Sequence, residues 1–134
     1  SPVANYIPVQ QTGNLIYLSG QGPRDEEGNF ITGKVGADIS AEQAYDLSRN
    51  TAINLISAMK SYLGSLERVV KIVKVFGMVN ATSDFTDHPK VINGCSDFFV
   101  EVFEDKGRHA RSAVGMGSLP NNMAVEIEII VEVS

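Results

Sequence analysis

Alternation and helical spacing of apolar residues divide the chain into strands and helices. Residues 6–11 and 15–20 form two short extended runs, and the Thr12-Gly13-Asn14 segment between them tolerates positive φ, so the pattern predicts a hairpin. The stretch GQGPRDEEGN reads as a loop. Residues 30–35 are predicted to form a short third strand before Gly36.

Two helices are predicted. The first begins at Ser40, because Gln43 three residues later completes a capping-box pattern, and it ends at Gly64. Its apolar stripe recurs at three- and four-residue steps: Ala44, Leu47, Thr51, Leu55, Ala58, Met59 and Tyr62. The second helix has Pro89 in its first turn and a predicted buried side made of Val91, Ile92, Cys95, Phe98, Phe99 and Val102.

The remaining strands complete a sheet. Residues 69–79 are rich in β-branched residues, and residues 107–133, GRHARSAVGMGSLPNNMAVEIEIIVEV, are predicted to form a hairpin of two strands with its loop at residues 119–122. The order of elements predicts an α/β (α+β) fold, a mixed β-sheet with two helices packed on one face, as one domain over residues 1–134. Self-association is the expected cover for apolar surface left on the other face.

Arg111 is an unusual residue to open an apolar strand, since a guanidinium needs an anionic or polar partner. Alternation places it on one face with Ala113, Gly115 and Gly117. These small residues either leave room for a small carboxylate or allow another backbone to approach. In a regular hairpin Gly115 faces Glu126, which puts Glu126 on the arginine's face roughly 13 Å farther along. The two groups then serve opposite ends of one ligand site, or they pair with other groups, across subunits for example.

Composition excludes several classes of protein. A single cysteine, Cys95, rules out an internal disulfide framework, and no Cys/His cluster has metal-ligand spacing, so we expect no metal and a reduced, cytoplasmic setting. The sequence contains no apolar run of about 18 residues and no export leader, so we expect no membrane segment. A net charge of −5 argues against bulk nucleic-acid binding, although a local basic patch is present at Lys106, Arg108, His109 and Arg111.

Four stretches resemble the RidA family, also called YjgF or L-PSP endoribonuclease-like proteins, in order and spacing. They are NYIPVQQTGNLIYLSGQGP, VVKIVKVFGMV, DFTDHPKVINGCSDFF and ARSAVGMGSLPNNMAVEIEIIV. The resemblance implies a chorismate-mutase-like fold assembled as a homotrimer, with small-molecule clefts between neighbouring subunits. It also implies hydrolysis of reactive 2-imino and 2-enamino acids to 2-keto acids and ammonia, without a cofactor.

The resemblance assigns roles to particular residues. Arg111 matches the arginine that holds the substrate carboxylate, and Glu126 matches the acidic residue that orients water or relays a proton, aided by backbone carbonyls near Ala113. The expected partner is therefore a small carboxylate-bearing substrate. The matched lining of the cleft consists of Tyr6, Ser19, Gly20 and Asn93.

The sequence also departs from the family. Ala113 stands where many relatives have a cysteine, His109 stands where deaminases often have a proline, and the EDKGRHA loop is about a residue longer. Each residue has a plainer interpretation: an interface ion pair for Arg111, a solvated strand face for Glu126, a core plug for Tyr6 and loop charges for Arg108 and His109. The alternatives to a deaminase are a trimer that binds small carboxylates without turnover, and an endoribonuclease or translation inhibitor.

Overall fold

The computed structural model describes residues 4–134, and residues 1–3 of the predicted domain lie outside it. Seven elements form the fold, in the order β1 (Val9–Thr12), β2 (Leu15–Gln21), α1 (Ala41–Leu63), β3 (Val69–Asn80), α2 (His88–Phe103), β4 (Ala110–Met116) and β5 (Val125–Val133). Short 3₁₀ turns occur at Leu66–Arg68, Glu104–Gly107 and Pro120–Asn122. The predicted mixed sheet with two helices on one face is confirmed.

Local signals define α1 as predicted. The Ser40 hydroxyl accepts from the Gln43 amide at 3.1 Å, the Gln43 side chain accepts from the Ser40 amide at 2.8 Å, and Gly64 ends the helix at φ 83°. Tyr62, the last residue of the predicted stripe, is 45% exposed, and its hydroxyl donates to the Gln11 side chain at 2.7 Å. In α2 the prediction is wrong at Val102, which lies exposed near the end of the helix.

Helices α1 and α2 approach closely at Gly94. The Tyr45 carbonyl occupies the place where a Cβ on Gly94 would stand, so any side chain there would push the two backbones apart. One residue later, the Cys95 amide donates to the buried Ser48 hydroxyl at 3.1 Å. This close contact holds α2 in place over the sheet.

The sheet has the order β1-β2-β5-β3-β4, so the predicted hairpin of β4 and β5 is wrong. Strand β3 lies between them, parallel to β4 and antiparallel to β5. This strand carries apolar residues on both faces, for example Val75 on one and Phe76 on the other, as is typical of an interior strand. Residues 117–124 cross the end of β3, where Leu119 and Met123 pack on Met78.

Residues 30–35 do not form the predicted third strand. They make isolated bridges only, because Gly33 and Gly36 adopt φ values of 140° and 100° that interrupt an extended ladder. The segment is held by side-chain and backbone bonds instead: the Val35 amide donates to the Asn80 carbonyl at 2.8 Å, and the Gly33 carbonyl accepts from the buried Asn80 side chain at 3.0 Å.

The main core lies between the helices and one face of the sheet. As predicted, the alternate residues of β5 point into it: Val125, Ile127, Ile129, Val131 and Val133. The opposite face carries a smaller cluster of Met78, Leu119 and Met123 at one end. Elsewhere on that face Tyr17 is 41% exposed, and Phe76 and Ile130 are half-buried. Apolar surface therefore remains open there.

Candidate functional site

Arg111 lies on β4, the edge strand of the sheet, and points to the helix face toward α2. Pairing with Val75 fixes this orientation, since Val75 is fully buried in the main core. The guanidinium Nη1 donates to Asn93 Oδ1 at 2.8 Å and to Ser96 Oγ at 3.1 Å, and Nη2 donates to the Pro89 carbonyl at 3.5 Å. We call Arg111, Asn93, Ser96 and His109 the arginine group.

Each partner of Arg111 is a neutral oxygen. The ion pairs of residues 4–134 are Arg49–Glu101, Lys71–Glu132, Lys90–Glu42 and Arg108–Asp105, and Arg111 takes part in none of them. Asn93 lies on the exposed side of α2, and Arg111 itself is half-buried. A half-buried guanidinium that is oriented by neutral groups keeps its charge available for an anionic ligand.

His109 completes the arginine group from behind. Its Nε2 lies 2.8 Å from Ser96 Oγ and its Nδ1 lies 2.6 Å from the Gly107 carbonyl oxygen. Burial lowers the pKa of the imidazole from its ordinary value, the Gly107 carbonyl opposes that shift and the charge of Arg111 adds to it. His109 lies in the loop before β4, but its ring is half-buried there and packs edge-on against Phe99.

Ser19, Gly20 and Glu126 form a second cluster, which we call the Glu126 cluster. Between the pairs Leu18–Ile129 and Gln21–Ile127 strand β2 has one extra residue, so Ser19 and Gly20 together oppose Glu128. A Cβ on Gly20 would collide with the Glu126 carboxylate, so the glycine is what allows the carboxylate to lie against the bulge.

The N-terminal segment borders the Glu126 cluster. The Ser19 hydroxyl donates to the Ile7 carbonyl at 2.7 Å, and the Ser19 amide donates to the Pro8 carbonyl at 2.9 Å. Tyr6 precedes Ile7 and is 52% exposed. The interpretation of Tyr6 as a core plug is therefore wrong, and its ring is accessible at the edge of this cluster.

Glu126 has an unusual electrostatic environment. Burial raises the pKa of its carboxyl group, and the neighbouring Glu128 carboxylate raises it further. No lysine or arginine of the ion pairs in residues 4–134 bonds to Glu126. A carboxyl group with a raised pKa is suited to proton transfer.

The two groups lie on opposite faces of the sheet. Glu126 pairs with Met78, which pairs with Val114, whereas Arg111 shares its face with Val75. The expectation that Glu126 lies on the arginine's face rested on the β4–β5 hairpin and is wrong for the same reason. The two residues also lie apart within the sheet. Strand β3 separates Glu126 on β5 from Arg111 on β4, a distance of two strand spacings, and the two residues are three positions apart along the strands, roughly 10 Å in each direction. Within one chain they cannot contact the same small ligand.

The space in front of β4 is partly filled. Ala113 is half-buried against the main core, and the imidazole of His88 lies where a Cβ on Gly115 would stand. Gly117 has no neighbouring side chain there. Beyond His88 an open groove of about 450 Å³ runs past Gly117 to Lys34 and Thr82. A side chain, rather than a second backbone, thus explains the need for glycine at position 115.

Ser96 is the member of the arginine group that sequence reasoning missed. A signal for it exists, because Asn93 and Ser96 are polar residues three apart in α2 among the buried Val91, Ile92, Cys95 and Phe99. Asn93, which was matched only through the family resemblance, does contact Arg111.

Two further findings concern the described residues as a whole. In residues 4–134 no three or more His, Cys, Asp or Glu side chains cluster closely enough to hold a metal ion. No helix in that range is sufficiently long and apolar to cross a membrane.

The fold and the matched motifs define a class of α+β proteins in which two helices cover one face of a mixed sheet. The chain belongs to the family described as "YjgF/chorismate_mutase-like, putative endoribonuclease", whose sequence profile matches residues 1–133. The suspected family is thus confirmed, and with it the chorismate-mutase-like fold.

Individual relatives carry different descriptions. Protein TCP17 of Trypanosoma cruzi is 38% identical over 135 residues, which cover 100% of this chain and 84% of that protein. A protein of Dermatophagoides farinae named 2-iminobutanoate/2-iminopropanoate deaminase is 32% identical, over 97% of this chain and 87% of its own length. The crystal structure of Atu1372 from Agrobacterium tumefaciens, a protein of unknown function, is 40% identical with a TM-score of 0.94, covering 98% of this chain and 83% of that one.

Proposed function

We propose that this protein hydrolyses reactive 2-imino and 2-enamino acids to 2-keto acids and ammonia, with Arg111 holding the substrate carboxylate. The observation that carries the proposal is the guanidinium of Arg111, oriented by Asn93 and Ser96 and absent from the ion pairs of the described chain. A planar guanidinium with free N–H groups matches a carboxylate in bidentate geometry. The deaminase name of a relative at 32% identity supports the same reaction.

The chemistry requires little of the protein. A 2-enamino acid first takes a proton on its β-carbon and gives one up from nitrogen, which makes it the 2-imino acid. Water then adds its oxygen to the imine carbon, protons move to the nitrogen, and the carbon–nitrogen bond breaks to release ammonia and leave a keto group. The carbon is already electrophilic, so fixing the carboxylate, placing one water and assisting proton transfer are sufficient. Glu126, whose pKa is raised by burial and by Glu128, is the candidate for the proton transfer, with no cofactor needed.

The opposite orientations of the two groups lead to the second part of the proposal. A cleft that uses both Arg111 and Glu126 takes them from different copies of the chain, and the family's homotrimer supplies such copies. The Glu126 cluster, with Ser19 and Gly20, and the neighbouring exposed Tyr6 form one side of the cleft. Asn93, Ala113 and free backbone groups of the edge strand β4 form the other. Residues 1–134 act as one domain in this arrangement.

The test is a coupled assay with a dehydratase that releases 2-iminobutanoate. We expect the wild-type protein to accelerate formation of 2-ketobutyrate, and Arg111→Ala to lose that effect. Arg108→Gln is the matched control, because it removes a neighbouring exposed cation that pairs only with Asp105 among the described residues. No acceleration by folded wild-type protein, or equal losses in both variants, would refute the proposal.

Binding without turnover is the second candidate, and the same guanidinium favours it. A carboxylate-binding trimer needs the arginine group but not Glu126. It would bind 2-ketobutyrate through Arg111 while leaving the rate of imine hydrolysis unchanged. Endoribonuclease activity, the word in the family description, is disfavoured by the net charge of −5 and is tested by incubating the purified protein with RNA.

A further inference from the structure

Three groups behind Arg111 form a continuous chain of hydrogen bonds. Arg111 Nη1 donates to Ser96 Oγ at 3.1 Å, Ser96 Oγ lies 2.8 Å from His109 Nε2, and His109 Nδ1 lies 2.6 Å from the Gly107 carbonyl oxygen. The 3₁₀ turn Glu104–Gly107 is separated from His109 only by Arg108, and the group that anchors the imidazole is a backbone carbonyl of that turn rather than a mobile side chain.

The partners determine where the protons lie. A carbonyl oxygen only accepts, so Nδ1 of His109 must carry the hydrogen that bonds to Gly107. In the neutral imidazole Nε2 is then an acceptor, and it takes the hydroxyl hydrogen of Ser96. With its hydrogen committed to His109, the Ser96 oxygen presents lone pairs to Arg111. Every donor in this series of hydrogen bonds therefore has an acceptor, and because the bonds point in compatible directions, each one polarises and strengthens the next.

Protonation of His109 would break this pattern. Nε2 would become a donor, so the Ser96 hydroxyl hydrogen would have to turn away, and Oγ would accept from two cations that repel each other, the imidazolium and the guanidinium. The groups that face the imidazole are Arg111 from β4, Ser96 and the Phe99 ring from α2, and the Gly107 carbonyl from the preceding 3₁₀ turn. In that turn Arg108 and Asp105 pair with each other and are largely exposed.

We propose that His109 is a positioning residue that holds the Arg111 guanidinium, through the Ser96 hydroxyl, in the orientation that binds a carboxylate. The inference rests on the proposed function of Arg111 and extends it to two residues. His109 does not touch the substrate. It is the fixed end of the hydrogen-bond chain Arg111–Ser96–His109, which we call the relay, and the neutral form of the imidazole is the one that maintains it.

The relay can be tested without any ligand. In unliganded protein labelled with ¹⁵N, we expect His109 in the Nδ1–H tautomer, and we expect the side-chain resonances of Arg111 to move with pH at the same midpoint as the His109 ring. Because burial lowers the pKa of His109, that midpoint lies below the ordinary value for a histidine. In His109→Gln the Arg111 resonances should be flat over this range. An Nε2–H tautomer, or Arg111 resonances that ignore His109, would overturn the proposal whatever the protein binds.

The second measurement is the dissociation constant for 2-ketobutyrate, the product of the proposed reaction. We expect His109→Leu and Ser96→Ala each to weaken binding by about three- to tenfold, the effect of one hydrogen bond. The double variant should bind no more weakly than either single one, because both interrupt the same chain. His109→Gln, which keeps an acceptor near Ser96, should bind like wild type at pH 7.5, and so should the Arg108→Gln control.

These outcomes separate the two proposals. If the Arg111 resonances follow His109 but wild-type protein binds no 2-ketobutyrate and hydrolyses no imine, the relay stands and the proposed function fails. If wild type binds 2-ketobutyrate and hydrolyses the imine through Arg111 while His109→Leu does both equally well, the proposed function stands and the positioning role is refuted. Additive losses in the double variant would likewise contradict a single relay.

Discussion

Arg111 and Glu126 point to opposite faces of one sheet, which makes a quantitative prediction for mixed oligomers. Arg111→Ala alone should lower kcat/KM by roughly 10²- to 10⁴-fold, because it removes two charge-assisted hydrogen bonds of about 1.5–3 kcal/mol each. Glu126→Gln alone should lose about 10²- to 10⁴-fold by removing proton transfer. Both pure variants are then nearly inactive in the imine hydrolysis assay.

Activity should return when the two variants are unfolded, mixed in equal amounts and refolded together. If each cleft takes its arginine from one chain and its carboxylate from another, as we propose, each of the two groups is intact with a probability of one half. About one quarter of clefts are therefore complete in a random mixture. Tags of different mass on the two variants, read by native mass spectrometry, check that the chains have mixed.

A companion mixture provides the control. Wild-type chains mixed equally with the Arg111→Ala/Glu126→Gln double variant should show about one quarter of full activity if clefts are shared, and about one half if each cleft lies within one chain. Shared clefts thus predict equal recovery in both mixtures. No recovery in the first mixture and one half in the second would refute the inference from the opposite faces.

Two further predictions concern stability. Gly94→Ala places a methyl group on the Tyr45 carbonyl and should lower the free energy of unfolding by about 1–3 kcal/mol in urea titrations, whereas Gly117→Ala, with open space around it, should change little. Glu126→Gln should raise the melting temperature at pH 7 but not at pH 4. The pKa of the Glu126 carboxyl group is higher in the folded protein than in the unfolded chain, so its contribution to stability is fully present below the unfolded-state pKa and is lost as the pH rises through the folded-state pKa. A gain at pH 4 equal to that at pH 7 would contradict the assignment to burial and the Glu128 charge.

Elements with local signals could be predicted from the sequence. Ser40 and Gln43 cap α1 and Gly64 ends it, and each signal lies within a few residues of the boundary that it sets. The alternation in β5 likewise identifies its buried face correctly. Such patterns depend on the chain itself and not on which element packs beside it.

Strand pairing could not be predicted in the same way. The β4 and β5 segments look like a hairpin because a short loop with Pro120 and two asparagines joins them, yet Asn121 and Asn122 adopt positive φ in a segment that crosses the end of β3. Whether β3 enters between them depends on which strands pair across the whole sheet, and the apolar residues on both faces of β3 do not decide that alone. The wrong hairpin also led to the wrong face for Glu126.

In the arginine group too, one part could be predicted from local sequence and the other depends on long-range packing. An arginine among small residues marks Arg111 as a candidate site residue, since that combination is unusual in a strand. The relay through Ser96 and His109 depends on how α2 lies over β4, and the sequence separation of 15 residues between Arg111 and Ser96 conceals it. Until the hydrogen bonds are known, His109 is recognisable only as part of a local basic patch and as a departure from the family pattern.

The position of β5 at the centre of the sheet has a consequence for synthesis on the ribosome. Strands β1 and β2 precede it by more than a hundred residues, β3 and β4 have already emerged, and neither pair can join the other until residues 125–133 are available. Until then β2 and β3 each present an unpaired edge and half of an exposed apolar layer. A nascent chain stalled before Val125 therefore exposes these edges to chaperones and proteases, and residues 125–133 are needed to join the two halves of the sheet.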